Sequence, residues 1–560
     1  MPRSIVVGEQ DFAMLRTEDC FYVDKTHFIG EWWRSKNRVT LITRPRRFGK
    51  SLMMDTLERF FSSTYHDQEQ LFSDLNVWQD EETRKVAGKY PVISLSFADC
   101  KGATYAEARA QIINELIGLL DKNSFLKNSP KLSDQKRTFF AKFNQESSNA
   151  DAQYFLKWLC EAFEMHYAIK PIVLLDEYDT PLLSAWLNGF WDDLVKFMQP
   201  LMGLTFKNNK SLTRGLMFGI TRVSKESIFS DLNNPDVITT TSQKYATGFG
   251  FTEKEVFAAM DEYGLTDKAG VKAWYDGFTF GNATDIYNPW SITKYLESHG
   301  KLNLYWANTA SNELISRQLQ KASSEIKTQL EVLLEGRSIE VKLSEEITFR
   351  DLDATPNALW SLLLASGYLK ITEQPPNGCF IFKVAITNKE NRDTFNNMVQ
   401  AWFYGQTGYS EFLQALTADN VEYMNVYLQK LTQATMSYFD VSQNEPEKFY
   451  HGFVLGLLTS LQNRFVLTSN RESGLGRYDI LLEPIDRQRD LAYIIEFKTV
   501  FDVAKLKEAV SSALQQIRDK AYAAQLTARG IDKNRIRAYG IAFAGKHVLV
   551  GNASVPATAG

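Results

Sequence analysis

Cysteine and histidine are scarce in this 560-residue chain. The sequence has four cysteines and six histidines, and no two cysteines form a CxxC pair. The cysteines are Cys20, Cys100, Cys160 and Cys379. Scattered cysteines argue against a zinc ribbon or a disulfide framework, and they fit a reducing compartment.

Long apolar runs are absent as well. The best candidate, Leu359 to Ile371, is interrupted by serine, glycine, tyrosine and lysine, and it is shorter than the roughly 18 residues that a membrane span needs. The N-terminal segment MPRSIVVGEQDF is too short and too polar for a signal peptide. We therefore expect a soluble, cytoplasmic protein that does not enter a membrane.

The chain has no excess of basic charge. It carries 63 lysines and arginines against 67 aspartates and glutamates, which gives a formal net charge of -4. Any binding of nucleic acid must therefore come from a local basic patch. Internal repeats and low-complexity segments are also missing, and the length predicts two or more domains of about 100–200 residues each.

The first half alternates short apolar runs with amphipathic stretches. Strands buried on both faces are predicted at Val39–Thr43, Pro91–Phe97, Pro171–Glu177 and Gly215–Thr221. Helices are predicted between them at Tyr105–Leu120, Ala152–Tyr167 and Pro181–Met202. This alternation predicts a parallel α/β sheet that binds its ligand near the carboxyl ends of the strands.

The pattern changes after this sheet. Residues Phe251–Ser298 predict a helical lid rich in aromatic residues. Leu359–Ile371 runs from a helix into a strand, and the turn Pro375–Gly378 leads back into a second strand. This outline fits a winged helix, and it fits equally well a hairpin that caps a helical connector.

The last third of the chain predicts a second compact α/β unit. Its predicted order is helix, three strands, helix and two strands. These elements are Glu447–Leu461, Phe465–Ser469, Tyr478–Leu482, Ala492–Lys498, Val503–Leu526, Arg535–Ala544 and His547–Val550.

The segment LITRPRRFGKSL, from Leu41 to Leu52, ends like a phosphate-binding loop. In such a loop a lysine, here Lys50, reaches the β- and γ-phosphates, and a serine, here Ser51, holds Mg²⁺. Arg44 stands where the general motif has its first glycine. A predicted strand precedes the turn and an amphipathic helix follows it, which is the context that the chemistry requires.

A second element supports this nucleotide site. The predicted strand IVLLDEYD ends in Asp176 and Glu177, where the first acid can hold Mg²⁺ and the second can orient the attacking water. The alternative for both acids is an ordinary strand-to-helix cap. Thr221 ends another strand and could sense the γ-phosphate, and Arg222 follows it, although a solvent-facing turn explains this pair equally well.

Taken together, these motifs resemble a known family. FYVDKTHFI, LITRPRRFGKSL, LLDEYDTPL, GITRVSKESIFSDLNN, WYDGF and IYNPWSI are similar to the bacterial AAA-ATPase-like proteins that carry a C-terminal PD-(D/E)XK nuclease domain. The arginine-rich loop without its first glycine is that family's own form. The resemblance implies an ATPase of the AAA/STAND type.

The resemblance also implies a set of nucleotide-binding residues, with Ser51 and Asp176 as ligands of Mg²⁺ and Glu177 as a catalytic residue. The residues assigned to ATP binding are Arg46, Arg47, Phe48, Gly49, Lys50, Ser51, Leu52, Asp176, Thr221 and Arg222.

A second site is predicted in the last third. Glu496 and Lys498 are two residues apart on one predicted strand, so both project from one face, and Asp479 on the neighbouring strand can lie beside Glu496. Two carboxylates can hold Mg²⁺ or Mn²⁺, and the lysine can activate a water that attacks phosphorus.

The order of elements, with D…ExK on the second and third strands, resembles the PD-(D/E)XK nuclease core. The resemblance makes Asp479, Glu496 and Lys498 the central residues. Glu447, as a further metal ligand, and Gln516 or Gln515, as a catalytic residue, are weaker assignments. An ExK triplet alone is common on solvated strands, so the assignment depends on the predicted topology and the partner aspartate.

The implied fold class is α/β multidomain. It comprises a P-loop (AAA/STAND-like) parallel sheet with a helical lid, a helical or winged-helix-like middle and a C-terminal restriction-endonuclease-like α/β domain. The predicted domains are residues 1–250, 251–300, 301–405 and 406–560.

Three functions are compatible with these features. The leading hypothesis is an ATP-regulated, Mg²⁺-dependent nuclease acting on nucleic acid, with DNA as the expected substrate. The alternative is a non-cleaving, ATP-dependent signalling or scaffold switch whose nuclease-like domain only binds nucleic acid or a partner protein. An ATP-driven remodelling motor would need assembly into a ring, and the sequence leaves homo-oligomerisation open.

Overall fold

A computed structural model describes most of the chain. The described residues are 2–221, 235–306, 314–344, 355–373, 380–403, 409–435, 464–473 and 476–554, apart from positions 317, 320, 321, 323, 335 and 521, together with residues 454, 457, 458 and 461. Packing divides the chain into two units. The first unit comprises residues 1–315 and 338–391, and the second comprises residues 316–337 and 392–560. The four domain boundaries predicted from the sequence stay a prediction.

A five-stranded parallel sheet forms the centre of the first unit. The strands are β1 (Val39–Thr43), β2 (Val92–Ser96), β3 (Ile172–Asp176), β4 (Arg214–Gly219) and β5 (Asp236–Ile238). They lie in the order β2-β3-β4-β1-β5, and every neighbouring pair is parallel. Strands β1, β3 and β4 are buried along their whole length, as their continuous apolar sequences predict. The predicted parallel α/β sheet is confirmed.

Helices surround this sheet. The segment from Pro181 to Met202 was predicted to be a single helix, but it forms two helices. Gly189 ends the first of these with a positive φ of 80°, a conformation that favours glycine. Within residues 2–221, the α-helices are Phe12–Thr17, His27–Arg34, Lys50–Phe61, Asn76–Gln79, Glu81–Arg84, Tyr105–Lys122, Asp134–Lys142, Asn149–Tyr167, Thr180–Asn188 and Trp191–Phe206.

The region predicted as a helical lid also contains a small sheet. Helices Glu253–Glu262, Lys268–Tyr275 and Pro289–Glu297 accompany β6 (Phe251–Thr252), β7 (Phe278–Phe280) and β8 (Ala283–Tyr287). The strands form an antiparallel sheet in the order β6-β8-β7. These strands have two to five residues, which is too short for an alternating pattern to be recognised in the sequence.

The middle of the chain contains the predicted helix and hairpin. The helix spans Pro356–Ala365, and the antiparallel strands are β10 (Leu369–Glu373) and β11 (Ile381–Ile386). A third strand, β9 (Ile339–Lys342), pairs with β11. The predicted turn at Pro375–Gly378 lies outside the described residues.

The second unit has a mixed five-stranded sheet. Its strands are β12 (Phe465–Ser473), β13 (Gly476–Pro484), β14 (Ala492–Thr499), β15 (Ile536–Ala544) and β16 (His547–Ser554), in sequential order. Only the pair β14–β15 is parallel, and helices Leu506–Asp519 and Ala523–Ala528 make the connection between these two strands. Further described helices are Ser324–Leu334, Tyr409–Thr417 and Val421–Thr435, and the helix Lys389–Phe403 begins in the first unit and continues into the second. Most of the predicted helix Glu447–Leu461 lies outside the described residues.

Membrane insertion finds no support in the described helices. None of them combines the length and the apolar character that a bilayer crossing requires.

A buried arginine anchors the turn after β1. Arg44 is fully buried, and its guanidinium donates hydrogen bonds to the carbonyls of Thr43 (2.9 Å), Thr239 (2.7 Å) and Tyr245 (3.3 Å). It also lies over the ring of Phe280, 4.5 Å from the centroid. Burial lowers the pKa of Arg44 to about 9, so the group stays charged at neutral pH. Arg44 therefore ties the turn to the segment that follows β5 and to β7.

The role of Arg44 can be tested by restoring the glycine of the general motif. We expect Arg44→Gly to lower the free energy of unfolding by about 3 kcal/mol, because three buried carbonyls lose a charged donor and a cavity remains. Urea unfolding followed by tryptophan fluorescence measures the loss.

Arg47→Gly is the matched control. Arg47 is exposed and has a positive φ of 65°. Its replacement should change the free energy of unfolding by no more than about 0.5–1 kcal/mol, since glycine relieves the backbone while one exposed cation–π contact is lost. Equal losses in the two variants would contradict the anchoring role of Arg44.

Candidate functional site

The turn between β1 and the helix Lys50–Phe61 has the backbone of an anion-binding loop. Arg47 and Gly49 have positive φ values of 65° and 80°, and Gly49 is the last residue before the helix. Arg44, the residue that replaces the motif's first glycine, is not among the residues with positive φ. The substitution is therefore accommodated without a positive φ at residue 44. The helix begins directly after Gly49, and the N–H groups at a helix N-terminus can bind an anion.

Lys50 is buried in this turn. Its ammonium donates hydrogen bonds to the carbonyls of Arg44 (2.9 Å) and Pro45 (2.8 Å). Burial lowers the pKa of Lys50, and the nearby carboxylates of Asp176 and Glu177 raise it in part. The ammonium is thus held at the centre of the loop by the loop's own backbone.

Ser51 and Asp176 meet as the sequence predicted. The Ser51 hydroxyl donates to the Asp176 carboxylate, with Oγ and Oδ2 2.5 Å apart. Asp176 is buried at the end of β3, and this burial raises the pKa of its carboxyl to about 6. The donors are a hydroxyl and a carboxylate, which are the hard oxygen ligands that Mg²⁺ prefers, so this pair fits the metal that the sequence implies.

Glu177 follows with an uncommon backbone conformation. Its φ is 49°, in the left-handed region, and its carboxylate accepts a hydrogen bond from the Thr180 hydroxyl at 2.8 Å. Backbone strain of this kind is concentrated at functional positions. The carboxylate is only partly buried and faces the cavity described next.

A cavity of about 460 Å³ opens beside the loop. This volume lies in the range of about 300–1,000 Å³ that is typical of small-molecule sites. The predicted residues on its wall are Arg46, Arg47, Phe48, Gly49, Lys50, Ser51, Leu52 and Glu177. Further wall residues come from the N-terminal segment (Tyr22 and Lys25), the loop after β2 (Lys101), the segment before β6 (Phe249) and the lid (Trp290). Asp176 and Thr221 are not part of this wall, although Asp176 contacts Ser51 directly.

The loop arginines make different contacts. The guanidinium of Arg47 lies 4.1 Å from the ring centroid of Trp290 in the lid. The carbonyl of Arg46 accepts hydrogen bonds from the Asn288 amide (3.2 Å) and the Trp306 indole (3.3 Å). The lid therefore contacts the turn after β1 through a hydrogen bond from Asn288 and a cation–π contact of Trp290. Trp306, which follows the lid, adds a second hydrogen bond to the same turn.

The side chain of Phe48 is part of the hydrophobic core. It is buried and packs edge-on against Phe278 and Phe280, at centroid distances of 4.9 and 5.4 Å. Any contact between Phe48 and a nucleotide would therefore come mainly from its backbone.

Thr221 is held by an acid that sequence reasoning missed. The Asp179 carboxylate accepts hydrogen bonds from the N–H groups of Ile220 and Thr221 (both 2.9 Å) and from the Thr221 hydroxyl (3.0 Å). Asp179 is buried, and burial raises its pKa. The available signal was the third acid of the motif DEYD, three residues after Asp176. Arg222 lies outside the described residues.

In the second unit, Asp479 and Glu496 are brought together. Strands β13 and β14 are antiparallel with Ile480 opposite Ile495, so the next pair outward is Asp479 and Glu496. The Asp479 carboxylate also accepts a hydrogen bond from the N–H of Phe497 at 2.8 Å. Two carboxylates on adjacent strands provide the oxygen ligands that a divalent cation requires, so the donor set fits Mg²⁺ or Mn²⁺.

Lys498 and Gln516 complete this cluster. The Lys498 ammonium lies 3.9 Å from a carboxylate oxygen of Glu496, and the Gln516 amide donates a hydrogen bond to the same oxygen. Gln515, the sequence alternative to Gln516, is exposed and instead contacts Asp519 at 2.6 Å. Glu447 lies outside the described residues.

Tyr522 lies near this cluster, and no role was assigned to it from the sequence. It is buried, and burial raises the pKa of its phenol, as do the charges of Glu496 and Asp479, whereas a hydrogen bond with Gln516 lowers it. These influences place Tyr522 beside the carboxylates.

A third acidic cluster lies in the lid region. Oxygens of Glu253, Asp276 and Asp285 lie within 4.8 Å of one another. Lys272 forms ion pairs with all three acids, including one of 3.0 Å with Asp285. The lysine neutralises part of the negative charge of the cluster. No motif in the sequence indicates that these three acids lie together.

Comparisons with known proteins match two parts of the chain. Residues 6–229 match the family described as "AAA-ATPase_like: Predicted AAA-ATPase", and residues 445–553 match "PDDEXK_9: PD-(D/E)XK nuclease superfamily". Over 547 residues the chain is 24% identical to a protein of Azotobacter chroococcum mcd 1 with the name "Uncharacterized protein in vnfD 5'region", and the match covers 94% of each chain.

The resemblance drawn from the sequence motifs is confirmed by these matches. The chain carries an AAA-ATPase-like domain in its N-terminal part and a PD-(D/E)XK nuclease-superfamily domain in its C-terminal part.

Proposed function

We propose that the first unit binds and hydrolyses ATP and thereby controls a metal-dependent nuclease in the second unit, which hydrolyses phosphodiester bonds, with DNA as the expected substrate. One observation carries this proposal. Side chains that are far apart in sequence converge at two separate places, Ser51 with Asp176 and Asp479 with Glu496, and each place has a lysine beside its carboxylates.

The residues of the first site are suited to bind a triphosphate. The ammonium of Lys50 now donates hydrogen bonds to the carbonyls of Arg44 and Pro45. It would donate to the oxygens of a bound phosphate instead, because an anion is a stronger acceptor than a neutral carbonyl. The N–H groups at the start of the helix Lys50–Phe61 would add further donors. Arg46 and Arg47 on the cavity wall contribute positive charge.

Hydrolysis needs a base for the attacking water. A magnesium ion held by Ser51 and Asp176 would neutralise phosphate charge as the leaving oxygen departs. Glu177, on the cavity wall and next to Asp176, is the carboxylate that would orient the water and accept its proton. The hydrogen bond from Thr180 fixes the direction of this carboxylate.

The second site has the parts of a hydrolytic nuclease. Asp479 and Glu496 would hold a divalent cation, which would stabilise the negative charge that develops on the phosphate. Lys498 projects from the same strand as Glu496 and would steady or activate the attacking water. Gln516 fixes the orientation of the Glu496 carboxylate through its hydrogen bond.

A chain of hydrogen bonds that begins at the turn after β1 supports the proposal that ATP controls the nuclease. The indole of Trp306 binds the carbonyl of Arg46 in the phosphate loop. The backbone N–H of Trp306 in turn donates to the buried carboxylate of Glu390 at 2.7 Å, and the Ser291 hydroxyl donates to the same carboxylate at 2.8 Å. Glu390 lies in the first turn of the helix Lys389–Phe403. A change in the loop on ATP binding would therefore reach this helix through two consecutive hydrogen bonds.

The nucleotide site predicts the effect of removing the buried ammonium. We expect Lys50→Ala to weaken ATP binding at least about 100-fold, because the charge that meets the phosphates is lost in a buried place. Isothermal titration calorimetry with ATP measures the affinity. Lys101→Ala is the matched control, since Lys101 is an exposed lysine on the same cavity wall, and it should bind nearly normally. Equal losses would show that the phosphates bind elsewhere.

Substitutions of the neighbouring acids Glu177 and Asp176 should affect ATP binding and hydrolysis differently. Glu177→Gln should keep the affinity for Mg²⁺ and ATP but slow hydrolysis by about 100-fold or more, because the base is lost. Asp176→Asn should lose the dependence of ATP binding on Mg²⁺ as well as hydrolysis, since a metal ligand is lost. Phosphate release and ATP affinity, each measured with and without Mg²⁺, separate the two variants. Normal hydrolysis in either variant would refute its assigned role.

The nuclease site predicts metal-dependent cleavage. Asp479→Ala should reduce cleavage of DNA in Mg²⁺ or Mn²⁺ by at least about 100-fold while ATP binding is retained, because a metal ligand is removed from a separate unit. Asp486→Ala, which replaces an exposed aspartate after β13, should cleave normally. If the unchanged protein cuts neither DNA nor RNA with metal and ATP, the nuclease proposal fails and the non-cleaving switch becomes the better account.

A further inference from the structure

The loop after β14 exposes an aromatic side chain. Phe501 is 91% exposed, which is the highest value among the exposed large hydrophobic residues in the described part of the chain. Val503, two residues later, is 48% exposed. A single exposed hydrophobic side chain is common on protein surfaces and needs no explanation by itself. Two further observations suggest a function for Phe501, namely its position near Asp479 and Glu496 and the charged residues around it.

Phe501 lies close to the nuclease-like cluster. It follows Lys498 by three residues, so the two Cα atoms are at most about 11 Å apart. Successive nucleotides along one strand of B-DNA are spaced by about 3.4 Å, so this distance corresponds to about three stacked nucleotides. A strand whose phosphate lies at Asp479 and Glu496 can therefore bring a neighbouring base to Phe501.

The backbone around Phe501 is fixed on both sides. The N–H of Val500 donates to the carbonyl of Phe543 at 2.9 Å, which extends the pairing of β14 with β15. On the other side, the Asp502 carboxylate caps the following turn by accepting from the N–H of Ala504 at 2.9 Å. The ring is thus presented from an ordered backbone, and a ligand would not have to order the loop on binding.

Positive charge accompanies the ring. Lys505 and Lys507 are exposed within six residues of Phe501. The nearby acids are Asp502, whose carboxylate caps the turn, and the exposed Glu508. An aromatic ring next to lysines matches the chemistry of single-stranded nucleic acid, in which lysines contact the backbone and the ring stacks on a base.

We propose that Phe501 stacks on an unpaired base of the nucleic acid, about three nucleotides from the phosphodiester bond that is cleaved, and so favours single-stranded or frayed substrates. A base inside a duplex has both faces covered by its neighbours, whereas an unpaired base offers a free face. The inference rests on the proposed nuclease function and adds the class of substrate. Phe501 is a positioning residue, since it acts on the bound strand at a distance from the reacting atoms.

The test compares substrate forms in the full-length protein. With single-stranded DNA, Phe501→Ala should raise KM about ten-fold, the loss expected for one stacked base, and leave kcat nearly unchanged. Phe501→Trp should restore the normal KM, because indole stacks at least as well. KM for a blunt duplex should be nearly the same in all three proteins.

Ile485→Ala is the matched control. Ile485 is 61% exposed and follows the end of β13 that is distant from Asp479, so it tests the loss of an exposed hydrophobic side chain away from the site. This variant should keep the normal KM for single strands. If Ile485→Ala raises KM as much as Phe501→Ala does, or if Phe501→Ala changes only kcat, the stacking proposal is overturned.

A binding measurement separates this proposal from the proposed function. In Ca²⁺, a single-stranded DNA that carries 2-aminopurine at successive positions should lose fluorescence at one or two positions on binding, and Phe501→Ala should abolish that loss. Quenching without cleavage in Mg²⁺ would refute the nuclease function and support the stacking. Cleavage without any quenching that depends on Phe501, or no binding of single strands, would overturn the stacking, and the exposed loop would then be better explained as a protein contact.

Discussion

Two buried cations in one turn determine how the first site is built. Arg44 and Lys50 are both buried, and their hydrogen bonds go to backbone carbonyls of the loop itself and of the segments after β5. A buried charge costs several kcal/mol unless oriented polar groups surround it, so these carbonyls must stay in place. The conformation of the loop is therefore held by these hydrogen bonds, and the ammonium of Lys50 is enclosed by the loop's own carbonyls.

The second site follows a related rule with the charges reversed. Glu496 is nearly inaccessible to solvent, and its carboxylate is supported by Gln516 and by Lys498. The adjacent carboxylate of Asp479 is held by a backbone N–H. Both sites thus combine carboxylates at the ends or edges of strands with one lysine, and a rigid sheet supplies the spacing. In the proposed function, a metal held by these carboxylates and the lysine would together balance the negative charge of a phosphate substrate.

The sequence predicted those parts of the structure that depend on periodicity. Continuous apolar runs located β1, β3 and β4, and the two-residue period placed Glu496 and Lys498 on one face. Acids at strand ends predicted the meeting of Asp176 with Ser51 across 125 positions. These features follow from local geometry, so one sequence is enough to find them.

Other features depend on contacts between distant segments and were not predictable. Two of the carbonyls that accept from Arg44 belong to Thr239 and Tyr245, about 200 positions away, and no local pattern around Arg44 indicates them. In the sequence, Asp179 has the pattern of a residue in the turn after β3. Its hydrogen bond with Thr221 forms because β3 and β4 are neighbours in the sheet. The choice between Gln515 and Gln516 depends on which of two adjacent glutamines faces Glu496, and this became clear only from the packing of their helix against β14.

The central claim is that Lys50 and Asp176 converge on one complex of triphosphate and metal. The most direct measurement is a crystal structure with a non-hydrolysable ATP analogue and Mn²⁺, in which anomalous scattering locates the metal. The account predicts Mn²⁺ bound to the oxygens of Ser51 and Asp176, with the γ-phosphate in contact with the ammonium of Lys50. A nucleotide bound elsewhere, or a manganese peak without contact to Asp176, would contradict it.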